Sequence, residues 1–73
     1  TPSRDKLIAM AFGLRLSAEE AQTMLKLSEN RELYVRDRRD AIILFALQRG
    51  MSIFKTNDLL YEYGYAVLGV PEE

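Results

Sequence analysis

The sequence has no cysteine and no histidine. Without cysteine there is no disulfide framework and no thiolate metal site, a composition suited to a reducing cytoplasm. Without histidine the commonest general base and metal ligand is missing, and the serines have no partner for a Ser-His-Asp triad. Glycine occurs 4 times and proline twice. The glycines are scattered, so no phosphate-cradling loop exists. The longest apolar run, Ala41 to Leu47, is too short to span a bilayer, and no signal-peptide pattern is present. An excess of positive charge is also missing. The formal net charge is −1, which counts against this chain alone gripping duplex DNA. Neither an enzyme, a cofactor, a metal nor a membrane partner is expected.

What is present is helical periodicity. The chain has 73 residues, at most one domain, and a domain that small buries only about 60% of its unfolded surface. Stability must then come from dense helix packing or from a partner. Thr1 is read as an internal start, so the chain is expected to be a piece of a longer one. Ser3 is a plausible N-cap with Asp5 in the first turn, followed by Leu7, Met10, Ala11 and Leu14 at helical spacing, and Gly13 is expected to end this helix. Ser17 and Glu20 have the spacing of a capping box, with Leu16 and Ala21 as the hydrophobic staple. The next helix puts Ala21, Met24, Leu25 and Ser28 on one face, with Glu19, Gln22 and Lys26 toward water. Glu29 to Glu32 reads as a loop, pinned by Leu33-Tyr34-Val35. The segment Arg36 to Gly50 is apolar nearly all round, which predicts a central helix surrounded by the others, with Gly50 free to adopt the left-handed conformation after it. Ser52 repeats the cap. The last helix shows Ile53, Thr56, Leu59, Leu60 and Tyr63 inward and ends at Gly64.

The chain also repeats itself. A shift of thirty-five positions carries Arg4 to Arg39, Asp5 to Asp40, Ile8 to Ile43, Ala11 to Ala46, Ser17 to Ser52 and Leu25 to Leu60. Each unit is a helix, a turn with a serine cap, and a second helix. The expected fold is therefore all-α: two stacked helical hairpins, residues 3–28 and 36–63, forming a compact four-helix bundle with an apolar C-terminal tail at 65–73.

Candidate chemistry is sparse. Asp37 and Asp40 share a helix face, but carboxylates are favoured in a first turn for dipole reasons alone. Arg36, Arg38 and Arg39 oppose the same dipole. They are either neutralised by Asp37, Asp40 and loop glutamates or free to contact an anion or acidic partner. Tyr61 and Tyr65, with Val67 and Leu68 in the tail, form either a self-association surface or a cover for the domain's own core.

The segment Pro2-Ser3, Leu7-Ile8, Ala11 and Leu14-Arg15-Leu16-Ser17 resembles the closing portion of lambda-repressor-like, XRE-family helix-turn-helix domains. Glu32 to Gly64 is similar to the C-terminal extension of small bacterial members of that family. The resemblance implies a cytoplasmic DNA-binding transcriptional regulator acting as a homodimer. The helix-turn-helix pair that reads the major groove is not in this sequence and would lie upstream of Thr1, so no base-reading residue carries over. For this segment the resemblance implies a phosphate contact at Ser3, Arg4 and Lys6, with the rest supporting the DNA-binding half or forming the dimer. A protein–protein interaction module unrelated to DNA is the alternative.

Overall fold

The computed structural model describes residues 3–70. Thr1 and Pro2 of the Pro-Ser motif, and Pro71 to Glu73 of the tail, lie outside the described residues. Four helices follow in order: α1 (Arg4–Gly13), α2 (Ala18–Leu27), α3 (Arg38–Gln48) and α4 (Ile53–Glu62). Each begins at a side chain that accepts an otherwise orphaned backbone N–H: Ser3 from Lys6, Ser17 from Glu20, Asp37 from Asp40 and Ser52 from Lys55. The capping box at Ser17 is complete, since the Glu20 carboxylate accepts from the Ser17 N–H at 2.8 Å.

All four helices end in the same way. The N–H two residues beyond the cap reaches back over the last turn, from Leu16 to the Ala11 carbonyl, from Asn30 to Leu25, from Met51 to Ala46 and from Tyr65 to Leu60, at 2.8–3.0 Å. This Schellman geometry needs a left-handed residue at each turn. In the second hairpin Gly50 and Gly64 supply it, at φ 66° and 81°. In the first hairpin Arg15 and Glu29 adopt it at φ 55° and 58°. Gly13, expected to end α1, does close it, but the left-handed position is two residues later and falls on Arg15.

The helices pack as two hairpins, α1 on α2 and α3 on α4, joined by α1 against α4 and α2 against α3. The thirty-five-residue repeat is thus an approximate two-fold in the structure. Its equivalent positions share one core: Ile8 and Ile43, Ala11 and Ala46, and Leu25 and Leu60 are all buried. The expectation of α3 as a central helix surrounded by protein is overturned. α1 buries Leu7, Ile8, Ala9, Ala11 and Phe12, while Phe45 on α3 is 44% exposed and Ile42 and Leu44 are only partly covered. Two equivalent hairpins leave no central position, so the extra apolar residues of α3 line an outer surface instead.

The left-handed Arg15 yields a direct test. A side chain costs about 1–2 kcal/mol in that region, partly offset by the greater unfolded-state entropy of glycine. Arg15→Gly is expected to stabilise the domain by up to about 1 kcal/mol, raising Tm by several degrees. Gly50→Ala, at the equivalent position, is expected to lower Tm by a similar amount. Thermal melts followed by circular dichroism read both.

Candidate functional site

The charged residues singled out by the sequence lie at the N-terminal ends of α1 and α3. Arg4 sends both terminal nitrogens to the Asp40 carboxylate, at 3.2 and 2.8 Å. Arg39 does the same to Asp5, at 3.1 and 3.0 Å. The two pairs are repeat equivalents that cross from one hairpin to the other. Each arginine uses its Nε on the loop or tail that follows a hairpin: Arg4 donates to the Arg31 carbonyl at 2.7 Å and Arg39 to that of Ala66 at 2.9 Å. Arg4 also donates to the Glu32 carbonyl at 3.0 Å. Both pairs have bidentate guanidinium–carboxylate geometry, which adds directional specificity to the charge attraction.

The symmetry is broken in burial. The Asp40 side chain is 2% exposed and that of Asp5 46%. Burial works against the charge of Asp40. The hydrogen bonds from Arg4 and from the Tyr34 N–H, with the positive charges of Arg4 and Arg31, outweigh it and hold the carboxyl below its ordinary value. The capping-box hydrogen bonds from Ser17 hold Glu20 below its ordinary value too. No described buried side-chain polar atom lacks a partner.

Of the phosphate candidates, then, Arg4 is fully engaged inside the fold and Ser3 caps α1, which leaves Lys6 exposed. Of the arginine cluster, Arg39 is paired, and with Asp5 rather than with Asp37, Asp40 or a loop glutamate. Arg36 and Arg38 are exposed and form no ion pair among the described residues. The tail divides in the same way. Leu68 is buried in its own domain's core, which takes it out of any outer face; Tyr65 is partly buried against that core, and Tyr61 and Val67 stay exposed. Tyr63, expected inward, caps α4 and is 65% exposed.

What places Leu68 inside is a contact the sequence reading missed. Asn57 on α4 brackets its backbone, donating from Nδ2 to the carbonyl and accepting the N–H at Oδ1, both at 2.8 Å. Gln22 on α2 brackets Leu33 identically, at 2.8 and 2.7 Å. Gln22 was expected toward water; its amide instead supplies the hydrogen bonds that a loop backbone needs in order to be buried. The signal was available, because the repeat shift carries Gln22 to Asn57 and Leu33 to Leu68.

A further feature is a groove of about 740 Å³ between α3 and α4. Ala41, Ile42 and Phe45 form one wall, Leu59 and Tyr63 the other, with Tyr65 at the side and Arg38 at the end. The Arg49 guanidinium lies over the Phe45 ring, 4.7 Å from its centroid. No family model matches the chain, and no curated protein or solved structure matches it. Among the described residues no group of acidic side chains is placed to hold a metal ion, and no helix is long and apolar enough to cross a membrane. What the arrangement offers is an apolar, aromatic-lined surface with cations at its ends, suited to holding another chain.

Asp40 carries the prediction for this region. Its folded-state pKa is depressed, so its contribution to stability is present above the unfolded value near 4 and is lost as pH falls through the folded value. Wild-type stability is expected to drop through that acid window, and Asp40→Asn to flatten the drop. At neutral pH Asp40→Asn is expected to cost on the order of 3 kcal/mol, because it strands Arg4, whereas Asp5→Asn costs under about 1 kcal/mol in its exposed setting. Urea unfolding across pH measures all of this.

Proposed function

We propose that this chain is the C-terminal supporting and association part of an XRE-type DNA-binding transcriptional regulator, bacterial and cytoplasmic, and that it does not itself read DNA. The resemblance of Pro2 to Ser17 and of Glu32 to Gly64 to that family supplies the parent function. The observation that supports the division of labour is the use of Arg4 and Arg39 on Asp40 and Asp5. Cations committed to internal carboxylates release no counterions from a phosphate backbone, and those released counterions are the source of non-specific DNA affinity. The association role is supported by the α3–α4 groove, an apolar patch of the kind that marks protein interaction sites.

The same groove also favours a second reading: a protein–protein interaction module with no connection to DNA. A helix-turn-helix pattern encoded just before Thr1 selects the first reading, and its absence selects the second.

DNA binding by the chain itself is tested by anisotropy titration against duplexes of different sequence, at about 50 and 200 mM salt. Weak binding without sequence preference is expected, reduced further at the higher salt. Tight binding with strong discrimination between duplexes would overturn the division of labour.

A further inference from the structure

The two hairpins agree at their shared interface and differ on their outer faces. On α3 the groove wall rises from Arg38 through Ile42 to Phe45. Their spacing of i, i+4 and i+7 sets them along one helix face. The repeat equivalents of Phe45 and Tyr63 are Met10 and Ser28, so the aromatic groove belongs to the second hairpin alone. On α2 the outer row runs from Glu19 through Thr23 to Leu27, three exposed residues at i, i+4 and i+8. Leu27 is 79% exposed, and its repeat equivalent is Glu62; Glu19 and Glu20 correspond to Phe54 and Lys55. This acidic, apolar ridge therefore belongs to the first hairpin alone.

The two surfaces fit one another. From Arg38 to Phe45, and from Glu19 to Leu27, the distance along the helix is about 10–12 Å at 1.5 Å per residue. Arg38 has no ionic or hydrogen-bond partner among the described residues, and Glu19 has none either. A helix laid along the groove with the Glu19 carboxylate at Arg38 brings Thr23 to Ile42 and Leu27 to Phe45. Its C-terminal end, which carries partial negative charge, then meets Arg49 over the Phe45 ring.

We infer that the occupant of the α3–α4 groove is the outer ridge of α2 from a second copy of this chain, with Glu19 facing Arg38 and Leu27 covering Phe45. The contact joins two different faces. A closed dimer therefore carries it twice, each copy giving its α2 and receiving the other's. The inference deepens the association half of the reading above and is independent of DNA, so the DNA titration can fail without touching it.

Charge reversal tests it, because both side chains are exposed and have no hydrogen-bond or ionic partner among the described residues. Arg38→Glu and Glu19→Lys are each expected to keep the wild-type circular dichroism spectrum and to weaken self-association about tenfold or more in sedimentation equilibrium, since each places like charges across the contact. An equimolar mixture of the two variants is expected to associate as wild type does. There the introduced carboxylate meets the introduced ammonium at one contact, and the native pair is kept at the other. A wild-type chain that stays monomeric at tens of micromolar overturns the inference. So does a mixture that associates no better than its separate components. Association that both variants leave intact also overturns it, while leaving the wider association reading standing on another surface.

Discussion

The fold depends on the reciprocal pairing of Arg4 with Asp40 and Arg39 with Asp5. Each hairpin contributes one arginine and one aspartate from the first turn of its leading helix, and each is completed by the other hairpin. A contact in which position i meets j and j meets i is the signature of an isologous, closed interface. It links the leading helices of the two hairpins at one register. It also satisfies four charges within the chain, with only Asp5 left half in water, and the Nε of each arginine ties down the chain leaving a hairpin.

That arrangement explains why so short a chain packs densely. Its loop after α2 and its tail after α4 are not simply draped over the core. Gln22 and Asn57 replace the water that the Leu33 and Leu68 backbones would otherwise require, and both leucines become core residues. Closure of the repeat also excludes continuation as a solenoid through the same face, because both copies of the interlock are already used within one chain. The groove beside Phe45 and the outer row ending at Leu27 lie where the two hairpins diverge in sequence.

Much of this was legible in the residues. The serine caps, the complete capping box, Gly50 as a left-handed residue and Gly64 as the end of α4 all follow from local rules that act within a few positions. The repeat predicted two hairpins for the same reason. Three readings went astray where local rules stop. The apolar run of α3 cannot say whether it faces a core or an outer groove, because hydrophobicity does not name its partner. Asp40 was read as a first-turn acid, which it is, but a dipole argument does not reveal a guanidinium from another hairpin. Gln22 was assigned to water on polarity alone, whereas a primary amide can both donate to and accept from a single peptide unit. The candidate site was less legible than the fold: Leu68 turned inward, Tyr65 sits between the core and the outer groove, and Tyr63 turned outward.

A double-mutant cycle on Arg4 and Asp40 addresses the interlock most directly, with Arg4→Ala, Asp40→Ala and the double variant compared by urea unfolding. A direct, buried, bidentate pair predicts a coupling above about 1 kcal/mol, with the double variant less destabilised than the sum of the single ones. The same cycle on Arg39 and Asp5 is predicted to give a smaller value, since Asp5 is half in water. Additive effects at Arg4 and Asp40 would contradict the account, because the two hairpins would then be held in register by something other than their crossed charges.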